Sequence, residues 1–67
     1  MPTYPLLKHF TYEHLPEHLQ VVSREFHALA NHLAEVLPHD PETTVALRKL
    51  IESKDAAVRS AITASRT

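Results

Sequence analysis

His14 and His18 are four residues apart, the spacing at which two imidazoles on one helix face can hold a metal ion. The stretch reads His14-Leu15-Pro16-Glu17-His18, which is not the HExxH order, and Pro16 separates the pair. The ordinary reading is two partly exposed histidines near a helix start. His27 and His32 are five apart, and His9 and His39 fall in segments not expected to be helical. Six histidines make the charge sensitive to mild acid, which is a titration property and not a function. Covalent chemistry has no better candidates. Cysteine is absent, and Ser23, Ser53, Ser60 and Ser65 fall on expected helices, without the strained strand-to-helix turn of a serine nucleophile. With no glycine, a glycine-rich phosphate loop is impossible. The carboxylates are scattered along helix faces as solvated charge. No enzyme, cofactor or metal centre is expected.

What remains is recognition chemistry. Tyr12 stands in Phe10-Thr11-Tyr12-Glu13, and cations recur at Arg24, Arg48, Lys49, Lys54, Arg59 and Arg66. An exposed Tyr beside an Arg is the minimal kit for a nucleotide, since the ring stacks on a base and the guanidinium forks onto a phosphate. The plainer alternative is that Tyr12 staples an arm to the helices while the basic residues pair with Glu17, Glu52 or Asp55. Seven Lys and Arg against eight Asp and Glu give a net charge of −1. That balance argues against broad binding to nucleic acid polymers and leaves room for a small anion in a local pocket.

The elements that must position these residues are bounded by prolines at 2, 5, 16, 38 and 41. The chain reads as one helical-hairpin domain over residues 1–67. It has an extended arm over 1–13, a first helix within about 14–37 (strongest over 16–36) and a second within about 40–65. Pro16 suits a first helical position, and Glu17 favours the positive end of the dipole. Leu19, Val22, Phe26, Leu29, Leu33 and Val36 form a heptad-type seam, widened by Val21, Ala30 and Leu37. Pro38 disfavours helical geometry at Leu37, Asp40 is the expected N-cap, and Pro41-Glu42 opens the second helix. So short a connection returns the helices antiparallel. Leu47, Leu50, Ile51, Val58 and Ile62 supply the opposing seam.

A second stripe on that helix, Ala46, Leu50, Ser53, Ala57, Ala61 and Ala64, is left without a partner in a lone hairpin. Alanines are good helix formers in their own right. A stripe of them also admits a close subunit crossing, which would relieve the small core of a 67-residue, 7.6 kDa chain. The expected fold is therefore all-α, a two-helix hairpin that assembles into a homo-oligomer. No long apolar run marks a membrane span or a signal-peptide core, so a cytosolic protein without a membrane partner is expected.

Phe10-Thr11-Tyr12 ahead of the first helix, Leu29-Ala30 in its middle, a proline turn, Val45-Ala46-Leu47-Arg48-Lys49-Leu50-Ile51-Glu52 and Lys54-Asp55-Ala56-Ala57-Val58-Arg59 carry a resemblance. Over roughly residues 8–62 the chain resembles the phage anti-CBASS cyclic-oligonucleotide sponges, small helical hairpins that assemble as homohexamers. The resemblance implies a non-enzymatic protein of the host cytoplasm that sequesters cyclic dinucleotides and cyclic trinucleotides, and so blunts bacterial antiphage signalling. It implies that Tyr12 stacks on a base and Arg24 contacts phosphate in a cyclic-dinucleotide pocket. It also implies that Arg59 and Thr63 serve a separate cyclic-trinucleotide pocket. The alternative in another class is a small structural or regulatory helical-hairpin oligomer acting through protein–protein contacts.

Overall fold

Pro16 and Asp40 set where the two helices begin. In the computed structural model, which describes residues 5–66 with side chains through residue 64, α1 spans Glu17–Val36 and α2 spans Pro41–Arg66. Pro16 caps α1 with φ −56° and ψ 150°. Its carbonyl accepts from the Leu19 and Gln20 amides at 2.9 and 3.0 Å. A residue with that ψ flanks a helix and does not belong to it, so α1 starts one position after Pro16. Proline brings no side-chain cap. Gln20 ties down the chain ahead of the helix, its Nε2 donating to the carbonyls of Leu15 at 2.8 Å and Glu13 at 3.4 Å.

The connection behaves as its residue types dictate. Leu37, ahead of Pro38, is extended at φ −94° and ψ 152°, and its amide makes the last bond of α1, to the Leu33 carbonyl. Asp40 is the N-cap of α2, its Oδ1 accepting from the Thr43 amide at 2.9 Å. The Thr43 hydroxyl donates to the Pro38 carbonyl at 2.7 Å, which lets this threonine be buried without an orphaned group. At a helical rise of about 1.5 Å per residue, the 26 residues of α2 span about 39 Å. The longest dimension of the molecule is 42 Å, so α1 lies folded back beside α2.

The N-terminal extension is present, but it is not extended where the structure describes it. Pro5–Phe10 coils into a 3-10 helix that packs on both α1 and α2, while residues 1–4 of the expected arm lie outside the described residues. The reason is Phe10. Its ring is fully buried against Ala30, Ala34 and Leu47, with Leu6, Leu7, Phe26, Leu50 and Ile51 around it. Alanines at 30 and 34 leave a shallow floor on α1 into which an aromatic ring settles. A 3-10 turn brings Leu6 and Leu7 down onto the same core.

That plug also rotates α1 away from the expected seam. Leu19 is buried as expected, but the other buried positions are the small Ser23, Ala30 and Ala34, while Leu29 and Val36 are exposed at 45% and 58%. Val22, Phe26 and Leu33 are half-buried. Periodicity locates the apolar side of a helix and does not identify its partner. Here the inner partner is a phenyl ring that demands small neighbours. On α2, Leu47 is fully buried, Leu50, Ile51, Val58 and Ile62 are half-buried, and Ala57 and Ala61 of the small-residue stripe are half-buried too.

Ser23 is the one buried side-chain polar group among the described residues without a hydrogen-bond partner. Replacing Phe10 by Ala should cost about 3–5 kcal/mol, against a total of about 3–10 kcal/mol for a domain of this length. Phe10→Ala should therefore lose its cooperative melt by circular dichroism. Ser23→Ala should melt higher, since it removes a buried hydroxyl left unsatisfied at about 1–3 kcal/mol and adds a better helix former. A Phe10→Ala melt matching that of the unmodified chain would place the arm outside the core.

Candidate anion-binding cleft

Burial of Phe10 carries its sequence neighbours onto the flank of α2. Lys8, His9 and Thr11 from the arm, with His14 from the turn, form one wall of a cleft, and Lys54, Asp55 and Arg59 of α2 form the other. Leu15 and Val58 add apolar surface, and the cavity measures about 430 Å³. With neutral imidazoles the cleft carries three cations and one carboxylate, a local charge of +2 in a chain whose net charge is −1. A concave surface of net positive charge concentrates small anions.

Lys54 is the structural member of this group. Its ammonium donates to the His9 carbonyl at 2.7 Å and pairs with the Asp55 carboxylate at 3.1 Å. Its side chain is only 15% exposed. A withdrawn ammonium needs such partners, and here they fasten the arm to α2 across 45 residues of sequence. The Thr11 hydroxyl donates to the Lys8 carbonyl at 3.1 Å and closes the end of the 3-10 helix. The Lys8 ammonium and the Arg59 guanidinium have no hydrogen-bond or ion-pair partner among the described residues.

The four residues expected to bind ligand are not gathered in one place. Arg59 lines the cleft. Thr63 lies one turn further along α2, exposed, with its hydroxyl donating back to the Arg59 carbonyl at 3.1 Å. Tyr12 is half-buried, and its ring meets His27 of α1 edge-on, centroids 5.1 Å apart and planes at 76°. The stapling role is thus present in the structure. Arg24, three residues before His27, is exposed, and its guanidinium has no hydrogen-bond or ion-pair partner among the described residues. Among the other basic residues, Lys49 pairs with Glu52 at 3.5 Å, and the Arg66 side chain lies outside the described residues.

The cleft itself, with Lys8, His9 and His14 facing Lys54, is not anticipated from the sequence. Its walls come from segments some forty residues apart, and no spacing rule connects them. The single hint is Phe10, a large apolar residue in an otherwise polar tetrapeptide, Lys8-His9-Phe10-Thr11, which has to be buried somewhere. Among the described residues no group of three or more His, Asp or Glu is placed to hold a metal ion, and no helix is long and apolar enough to cross a membrane. No protein-family model, curated protein or solved structure matches the chain.

The turn beside the cleft carries its own titration. Hydrogen bonds from the backbone amides of Glu13 and Tyr12 hold the Glu13 carboxyl below its ordinary range, with smaller help from the His27 and His14 imidazoles. The Tyr12 amide donates to Glu13 Oε2 at 3.2 Å. A carboxylate whose pKa falls on folding stabilises above its unfolded pKa of about 4.3 and loses that contribution as pH drops through the lower folded value. Glu13→Gln should therefore melt slightly below the unmodified chain at pH 7, with the gap narrowing as the pH falls into the acid range below the ordinary carboxylate pKa. Parallel melts across that range check it, and a gap that widens in acid would show the assignment to be wrong.

Proposed function

We propose that the chain is a non-enzymatic capture protein for cyclic dinucleotides and cyclic trinucleotides, acting as a homo-oligomer against bacterial CBASS antiphage signalling in the host cytoplasm. The observation that carries this reading is the cleft. Arg59, which the sequence resemblance implicates in ligand binding, shares a cationic cavity with Lys8, His9, His14 and Lys54, and its guanidinium is uncommitted among the described residues. Capture demands only complementary charge, a surface for the bases and slow release. Tyr12 offers the base surface in the turn between the arm and α1, its ring steadied by His27. In a twofold assembly, one Tyr12 and one Arg24 from each subunit would meet the two bases and two phosphates of a cyclic dinucleotide.

Calorimetric titration tests the reading. Stacking contributes roughly 1–3 kcal/mol per base, so with two copies in a symmetric pocket Tyr12→Ala should weaken cyclic-dinucleotide binding on the order of a hundredfold. Arg59→Ala should abolish cyclic-trinucleotide capture and leave the dinucleotide nearly unaffected. A ligand that binds only the folded assembly should also raise the melting temperature with its concentration. Unchanged melts at saturating cyclic dinucleotide and trinucleotide, together with no heat, would sink capture.

A structural or regulatory oligomer acting through protein contacts is the second reading. It is favoured by the exposed Val21, Leu29 and Val36 on α1. Both readings call for self-assembly, and the resemblance points to a hexamer. Sedimentation velocity should show a stable oligomer that Ala57→Arg splits, because a bulky charged side chain has no room in a close helix crossing. A stable monomer for the unmodified chain would remove assembly from both readings, and an oligomer that takes up no cyclic oligonucleotide favours the second.

A further inference from the structure

We infer that the cleft between the 3-10 helix and α2 is a phosphate site that bridges the arm to α2, with Asp55 as its resident counter-ion. The inference deepens the capture reading above and shares its cleft. Lys8 on the arm and Arg59 on α2 line one cavity, and neither charged head has a partner among the described residues. Beside them lies Lys54, whose ammonium has three donors. Two of these are committed, one to the His9 carbonyl at 2.7 Å and one to Asp55 at 3.1 Å. The third is left for a ligand.

Three cationic heads from two elements match the several acceptor oxygens of a phosphate, and charge-assisted bonds of this kind are the strong ones. At about 430 Å³ the cavity is several times larger than a phosphate ion. It takes a phosphate with an attached sugar-sized group, for which Leu15 and Val58 offer apolar contact. The ligand class is therefore a phosphate ester of nucleoside size.

Asp55 gives the site its set point. Its side chain is 48% exposed and paired with Lys54, so it neutralises that cation while the cleft holds no anion. An incoming phosphate competes with this carboxylate for Lys54 and is repelled by it. A phosphate touching both Lys8 and Arg59 in turn fastens the arm to α2, adding to the hold that Phe10 and Lys54 already have.

Isothermal titration of the full chain at low ionic strength tests this, with inorganic pyrophosphate, 5′-AMP and a cyclic trinucleotide as separate probes for free phosphate, monoester and diester. Lys8→Gln and Arg59→Gln should each weaken pyrophosphate and 5′-AMP binding about tenfold or more, and Asp55→Asn should tighten both by about threefold or more. Amide exchange over residues 6–10 should slow on addition of 5′-AMP. Ligand-free melts of the three variants identify any that fail to fold, and the exposed Lys8 and Arg59 side chains have no hydrogen-bond or ion-pair partner to lose among the described residues. No heat from pyrophosphate or 5′-AMP, Asp55→Asn binding no tighter, or unchanged exchange in the arm overturns the inference. A cyclic trinucleotide that binds Lys8→Gln and Arg59→Gln at full strength also overturns it, while leaving capture standing elsewhere on the chain. If pyrophosphate and 5′-AMP bind and no cyclic oligonucleotide does, the phosphate site stands and the capture reading fails.

Discussion

The seating of the Phe10 ring on Ala30, Ala34 and Leu47 is the contact on which the other features depend. Two helices joined by a short turn bury little: among the described residues, Leu47 is the one large residue of α2 that is fully covered. The ring fills the groove between the helices from the side and turns a two-element packing problem into a three-element one. It decides which face of α1 points inward, because only the small residues there leave it room. It also fixes the position of Lys8 and His9, since residues adjacent to a buried anchor have little freedom to leave. The cationic wall of the cleft is in this sense a by-product of core formation. A small domain with a limited apolar surface uses one phenyl group for both purposes.

Much of the scaffold is legible in the sequence because its signals are local. The Asp40-Pro41 start of α2, the extended Leu37 before Pro38 and the helical runs between the prolines each depend on residues within a turn of one another. The arm and the seam of α1 are less legible, for a common reason. Two prolines in the first five residues suggest an extended segment, yet Pro5 is compatible with the first turn of a 3-10 helix once Phe10 has a groove to enter. Leu29 and Val36 satisfy the heptad rule as well as Leu19 does, and only the shape of the opposing surface tells them apart. The site is least legible. Tyr12 and Arg59 stand out by residue type, but Lys54 has the character of a routine helix cation until the His9 carbonyl is brought to 2.7 Å from it.

Charge is distributed with the same economy. The chain is close to neutral, so long-range attraction for polyanions is weak, while the cleft concentrates cations locally. On the proposed reading this arrangement would discriminate by size. A small anion would meet several positive heads at once between the walls, whereas an extended polymer would meet a remainder of net negative charge. The exposed Val21, Leu29 and Val36 lie on α1, whereas the cleft lies between the arm and α2. Association through that face of α1 and ligand uptake in the cleft, both as proposed, would therefore draw on different residues.

The bond between Lys54 and position 9 runs to a main-chain carbonyl and not to the imidazole. Every amino acid presents that same oxygen, so the fastening of the arm makes no demand on which side chain stands at position 9. His9 is among the residues that line the cleft all the same. Position 9 is thus a place where the inner surface of the pocket can drift from basic to polar to aromatic while the anchoring of the arm stays as it is. A lineage pressed to recognise a different ligand would find its cheapest substitutions there, and would find Lys54 and Phe10 nearly immovable.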